Sequence, residues 1–283
     1  MAVAIVTDST SDIDPVAGAA LGIAVVPLFV VFGDRSYRDY VDLSREEFYR
    51  MLQTQPVLPT TSQPTAAMFE SAFGPPAGAG NDILCITISS QLSGTLNAAA
   101  AAATAFPQTR IVAYDSQSVA GGLGMMVLYA RELAESGASI DRIVEALDRW
   151  RASQRLYALI ADLSHLQRTG RIGRARAALG TLMKVVPVLA LKDGSIVAEA
   201  QVRTFARARE TALDLLMQAV SDPGRARFAI VHVGAPELAE SVVAQLRERL
   251  DGVTPAKLDV WEAGPVIATH GGPGALGLCV AQP

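Results

Sequence analysis

The stretch "DILCITISSQLSGTLNAAAAAATAF", residues 82–106, decides the fold. Its first seven residues form an apolar, β-branched run of the kind that makes a strand buried on both faces. The segment from Gly94 onward, dominated by alanine, is a strong helix former. Between the two lies a crowd of hydroxyls, Ser89, Ser90, Ser93 and Thr95, with Gly94 among them and no charged side chain from Asp82 to Arg110. Strand, polar turn and helix in succession form one unit of a parallel α/β sheet. Such sheets bind ligands beyond the carboxyl ends of their strands.

Working outward, the same alternation repeats through the first half. "VAIVTDS" (3–9), "GIAVVPLFVVF" (22–32) and "RIVAYDS" (110–116) read as further buried strands. Helices are expected after Ser44, where Glu47 completes a capping box, and in "SQPTAAMFESAF", where Pro64 stands near the first position. Two more follow in "VAGGLGMMVLYARELAE" and the amphipathic "SIDRIVEALDRW". The second half has a different pattern: strand "RLYALIADL", a basic helical stretch "SHLQRTGRIGRARAALGTLM", and a hairpin turned at Asp193-Gly194. Helix 204–220, strand "RFAIVHVGA", helix 236–250, strand "KLDVWEA" and a last strand near "ALGLCVAQ" complete it. The expectation is an α/β protein. Residues 1–153 make an N-terminal three-layer α/β/α domain with a parallel sheet, and residues 154–283 a C-terminal α+β domain with a mixed sheet.

The 283 residues are half hydrophobic and carry a net charge of −4, which argues against general nucleic-acid binding. Charge is uneven: residues 142–209 hold 13 of the 24 Lys/Arg and 5 of the 28 Asp/Glu, a balance of +8 against −12 for the rest. Most of these arginines read as solvated helix faces. Cys85 and Cys279 lie far apart in apolar runs, so reduced buried thiols are expected rather than a disulfide, and no spacing suggests a metal site. The N-terminus lacks the features of a signal peptide, and no apolar run is long enough to cross a membrane, so a cytoplasmic protein is expected.

The strand ends gather "TDSTSD", "SSQLSGT" and "DSQSVAGG", with "TTSQPT" at another helix start. Four Ser/Thr-rich loops on one rim form a seat for a carboxylate or phosphate without requiring a cation, although each loop alone reads as helix capping. Other motifs lead nowhere. "GPGALG" (272–277) has no room for the helix a dinucleotide needs, no P-loop or GxSxG elbow occurs, and "TDST" lacks a phosphotransferase's second aspartate. His165 and His232 read as structural. His270, in "GPVIATHGGPG" beside Thr269, is expected between a strand and a glycine-rich turn, and is either a ligand contact or a structural hydrogen-bonding group.

In order and spacing, "TDSTSDI", "TTSQPT", "SSQLSGT", "LQRTGRIG" and "GPVIATHGGPGALG" resemble the DegV family, over essentially the whole chain. Thr65 and Leu96 depart from its commoner residues there. The resemblance implies two α/β-type domains with a fatty acid between them. It also implies a partner, a separate fatty acid kinase that phosphorylates the presented carboxylate to an acyl phosphate. The family's carboxylate contacts then fall on Thr61 and Ser93, with Ser62, Thr269 and His270 in support. No catalytic residue, metal or cofactor is implied, only the bound fatty acid such as palmitate. A tail of roughly 16 carbons brings on the order of 0.8 kcal/mol per buried methylene. The small residues Ala98–Ala103 and "AGGLGMM" are expected either to leave room for that tail or simply to pack helices on the sheet.

"LQRTGRIGRARAALG" is the exception among the arginines. Gly170 and Gly173 interrupt any regular helix, which points to a shaped, exposed basic loop carrying Arg168, Arg171, Arg174 and Arg176. Near the head-group end, Arg171, Arg174 and Arg176 are expected to dock the kinase; the alternative is that Arg171 pairs with an acidic residue of its own chain and holds the two domains together. Two rival functions stand beside the carrier: an acyl or phosphoryl transferase or hydrolase using Ser93 or Thr61 with His270, and a nucleic-acid-associated regulator using the basic region.

Overall fold

The computed structural model describes residues 2–55, 57–175 and 185–283. Four parallel strands form the first sheet in the order β2-β1-β6-β7: β1 Val3–Asp8, β2 Ile23–Val26, β6 Asp82–Thr87 and β7 Ile111–Asp115. Helices α3 (Ala66–Gly78) and α4 (Thr95–Ala103) cover one face, burying Phe69, Phe73, Ala99 and Ala102 against Ile83 and Cys85. Helices α5 (Ala120–Glu135) and α6 (Ile140–Ser153) cover the other, with Leu123, Met126, Leu147 and Trp150 against Leu84 and Ile86. The three-layer arrangement expected from alternating strands and helices is present.

The single strand expected over residues 22–32 is two. Pro27 has no N–H to offer a ladder, and the Leu28 amide turns to the Ser9 hydroxyl, 3.0 Å away. Beyond the break, β3 (Phe29–Phe32) leaves the parallel sheet and pairs antiparallel with β4 (Arg35–Arg38) and β5 (Thr60–Ser62). The "TTSQPT" segment is therefore a strand first: α3 starts only at Ala66, two residues after Pro64. Helices α1 (Pro15–Ala20) and α2 (Arg45–Thr54) carry the caps their sequences call for, with Asp14 accepting from Val16 and Ser44 from Glu47.

The second half forms a six-stranded mixed sheet, in the order β10-β9-β8-β13-β11-β12. Its strands are β8 Arg155–Leu159, β9 Val186–Lys192, β10 Ser195–Val202, β11 Arg227–His232, β12 Lys257–Glu262 and β13 Leu276–Ala281. The hairpin β9–β10 turns where both Asp193 and Gly194 are left-handed, as a type I′ turn requires. Helix α7 (Ser164–Arg168) ends at Gly170, left-handed at φ +73°, so the basic stretch is not one helix. Helices α8 (Phe205–Gln218) and α9 (Pro236–Arg249) close the outer face over Tyr157, Phe228 and Leu278. The segment after β12, expected as a loop before the glycine turn, is a short helix α10 (Pro265–Gly271), with Pro at its first position.

Helix α5 also touches the inner face of the six-stranded sheet, where Ala229, Cys279 and Ala281 join its core. The approach is close. A Cβ on Gly121 would stand 2.5 Å from Val231 Cγ2, and one on Gly124 would overlap the Trp261 ring and the Ser11 carbonyl. Gly124→Ala is therefore expected to cost about 1–3 kcal/mol by overpacking. Gly78→Ala, at the end of α3 where nothing lies within 4 Å of the added methyl, should leave stability unchanged or raise it by up to about 1 kcal/mol. Urea midpoints of the two variants check this contrast.

Candidate functional site

Between the two sheets lies an apolar cavity with about 1110 Å³ of empty space, its mouth included. The second sheet supplies one wall through Leu156, Ala158, Leu189, Leu191, Val231 and Cys279, and α10 closes another with Val266 and Ile267. Polar groups reach it from a few elements only: Thr10, the run Thr61-Ser62-Gln63, Ser93, Arg171 and His270. An apolar chamber with a small set of convergent polar groups has the form of a small-molecule site.

The polar groups are held by local geometry. Thr61 is the middle residue of β5, opposite Val30, and its hydroxyl lies 2.9 Å from His270 Nε2. The other ring nitrogen, Nδ1, lies 2.8 Å from the Thr169 hydroxyl. That hydroxyl already donates to the His165 carbonyl at 2.7 Å, so it accepts from Nδ1–H, and the Nε2 lone pair accepts the Thr61 hydrogen. Burial, reinforced by the nearby Arg171, His165 and Arg168 charges, pushes the His270 pKa down to about 3. The ring is neutral at physiological pH. Ser93 is half-buried and shares a 2.8 Å hydrogen bond with Thr95, while Ser62 is exposed at the rim.

Other expected residues fall differently. Thr269 is fully buried and absent from the cavity wall; its hydroxyl donates to the Pro265 carbonyl at 2.9 Å, and its own carbonyl meets His165 Nδ1 at 3.2 Å. Arg171 is turned inward to the cavity. It donates to the Thr169 carbonyl at 2.6 Å and the Leu92 carbonyl at 3.4 Å, so it joins the halves through backbone oxygens rather than an acidic partner. Arg174 is exposed and donates to the Lys192 carbonyl at 3.5 Å, and Arg176 lies outside the described residues. Of the four hydroxyl loops, "TDSTSD" and "DSQSVAGG" turn mostly on themselves: Asp8 holds the Thr10 hydroxyl and amide and the Ile88 amide, and the Ser116 hydroxyl accepts from the Ser118 amide. The small-residue stretches do not make the chamber. Ala98, Ala99 and Ala102 pack behind the first sheet, and of "AGGLGMM" only Ala120 reaches the wall. Thr169 and Gln63 went unnoticed in the sequence; a threonine ending a helix and a glutamine beside Pro64 carry no signal of their own.

A second polar cluster fixes α10, and through it His270. The Gly264 amide donates to Asp12 Oδ1 at 2.9 Å, leaving Asp12 Oδ2 without a partner. Asp39 is fully buried with the Ser9 hydroxyl and Val266 amide turned towards it, neither in full hydrogen-bond geometry. Burial, with a smaller push from neighbouring carboxylates, raises Asp12 to about 8 and Asp39 to about 7. Arg45 holds the opposite side through the Glu262 carbonyl at 2.9 Å and Tyr40 at 3.2 Å.

Two sheets with an apolar chamber between them, and a few polar side chains in its wall, have the form of a small-molecule binding protein. A family model described as "Uncharacterised protein, DegV family" matches residues 2–282, and the chain belongs to that family. A DegV domain-containing protein of Halalkalibacterium halodurans is 34% identical over 98% of this chain and 97% of its own. Among solved structures, a DegV family protein of Thermus thermophilus described for its fatty acid binding has TM-score 0.91 and 36% identity, covering both chains fully. DegV of Bacillus subtilis, described as a fatty acid binding protein, has TM-score 0.90 and 32% identity, again over both full chains.

The raised carboxyls fix a sign for pH dependence. Between 3.8 and about 8 the unfolded Asp12 is ionised while the folded one keeps its proton, so the unfolded state binds fewer protons and stability falls as pH rises. Asp12→Asn, which keeps the acceptor for Gly264 and cannot ionise, should flatten that fall. Urea midpoints across this pH window check it; an undiminished slope contradicts the assignment.

Proposed function

We propose that this chain binds a long-chain fatty acid, with the carboxylate at Thr61, Ser62 and Ser93 and the tail in the apolar chamber. It would then present the carboxylate to a separate kinase for conversion to an acyl phosphate. The observation that carries the reading is the chamber: almost all its wall is apolar, and its hydroxyls converge at Thr61 and Ser93. The two solved relatives named for fatty acid binding support it. The Thr61 hydroxyl has one hydrogen, and His270 Nε2 accepts it. When a carboxylate accepts that hydrogen, the other neutral tautomer, reached by proton exchange with solvent, fits the site: Nε2–H donates to the Thr61 oxygen and Thr169 donates to Nδ1. The exchange needs no net proton uptake, which suits a ring too buried to be charged. Arg171 in the wall adds a positive field.

The transferase or hydrolase reading fares worse on the same geometry. A ring with its pKa near 3 is a weak base at neutral pH, Nδ1 meets a hydroxyl instead of an orienting carboxylate, and Ser93 pairs with Thr95 rather than His270. As a carrier, the chain should yield free fatty acid on extraction of the purified protein; a covalent acyl adduct would revive the enzyme. Thr61→Ala and Ser93→Ala should each weaken fatty acid binding by about 1–2 kcal/mol with the fold retained, as titration calorimetry and circular dichroism would read.

On the same reading, the exposed Arg174 would help dock the kinase. Arg174→Glu should leave fatty acid affinity unchanged, while the rate with a cognate kinase falls and becomes less salt-sensitive. An unchanged rate returns Arg174 to ordinary surface.

A further inference from the structure

The inner face of the six-stranded sheet contains an irregularity that packing does not explain. One register row crosses four strands: Leu189 pairs with Ala158, Ala158 with Gly277, and Gly277 with Val231. All four line the cavity. The row runs large, small, small, large, over three strand spacings of ~4.8 Å, roughly 14 Å. The neighbouring row holds Leu156 opposite Cys279, both buried. Ala158 and Gly277 sit on the two central strands of the sheet, yet they are only partly buried while Leu159, Leu276 and Leu278 around them are almost wholly buried.

A glycine inside a central strand weakens it and commonly marks a place where something must approach the backbone. At Gly277 no backbone requirement exists, because its φ is not in the left-handed region. No side chain crowds it either: an added Cβ would meet only Val231, at 3.5 and 3.9 Å, which is ordinary contact. Contrast Gly124, where Trp261 fills the place of a side chain. The space above Gly277 belongs to the chamber.

We propose that Ala158 and Gly277 form a gutter across the sheet that sets the bore of the chamber and thereby its preference for long unbranched acyl chains. The proposal rests on the fatty-acid-binding reading and deepens it. Side chains added here would project into the path of the methylenes without touching Thr61, Ser93 or His270. They would shorten the usable chamber and leave the head-group seat intact.

The test compares wild type, Gly277→Val and Ala158→Val against decanoate, laurate, myristate, palmitate and stearate by titration calorimetry, with thermal melts as a folding control. Palmitate and stearate affinity should fall about tenfold or more in either variant, while laurate and decanoate change little, so the preferred length shortens. A folded variant with the parental length profile overturns the gutter. Should Gly277→Val fail to fold, Gly277→Ala carries the same test with a smaller loss. Adding Val231→Ala to Gly277→Ala should then restore palmitate binding, since it returns volume beside the new methyl; damage to the fold would deepen instead. Wild type that binds none of the five acids sinks the fatty-acid reading itself, and is distinguishable from a wild type that binds palmitate no better than its variants.

Discussion

Helix α5 lies between two sheets, and it can do so because three of its first five residues have no side chain. Gly121 and Gly124 face Val231 and Trp261 of the second sheet at distances where any Cβ would collide, and Gly122 lies against Ser118 in the same way. The opposite side of the helix places Leu123 and Met126 in the first sheet's core. One helix thus belongs to two cores, and the separation of the sheets is set by its thickness. The chamber is the part of the gap that α5 does not fill: Val119 and Ala120 at its start form part of the wall. Glycines that look like room for a ligand instead set the distance that leaves room elsewhere.

The second constraint is the polar joint under α10. This helix is short, and a helix of seven residues has little stability of its own. Its N-terminal amides meet Asp12 and Asp39 from the first half of the chain, and its last turn carries His270 to Thr61 and Thr169. Asp12 adopts φ 58° to reach it, a conformation aspartate tolerates better than most residues. Burial favours the protonated carboxyls at one end and the neutral imidazole at the other, since a lone charge in that position would be costly. Thr61 is positioned by this chain of contacts as well as by its own strand.

Much of this was legible in the sequence, and the reasons for the gaps are specific. Periodicity exposed β1, β6 and β7 and the helices after them, because strands buried on both faces are continuous apolar runs. The Asp193-Gly194 turn was explicit, since both residues must be left-handed. The β3–β4–β5 sheet was not visible: β3 continues the apolar run of β2, and only Pro27 and the Ser9–Leu28 contact divide them. Thr61 and Ser93 could be singled out by motif, and both reach the cavity. Thr269 could not be told from His270 beside it, since one helical step turns the first inward to Pro265 and the second towards Thr61. Arg171 looked like surface because it is charged; two backbone carbonyls and a left-handed glycine on either side turn it in.

On the fatty-acid reading proposed above, neutral donors and a nearby cation would divide the work of holding a carboxylate that is later released. A direct, desolvated arginine pair would bind the anion tightly but would hold a more highly charged acyl phosphate more strongly still. Hydroxyls from Thr61 and Ser93 give directional hydrogen bonds of modest strength, while most of the affinity comes from the apolar wall, which is indifferent to the state of the head group. Arg171 is engaged with the Thr169 and Leu92 carbonyls, so its charge acts at a distance and its geometry is occupied. In such a site, adding charge at the carboxyl end changes the balance little in the chamber and much at the rim. On that reading, chemistry at the head group could proceed while the tail stays in place, with the exposed Arg174 open to a partner.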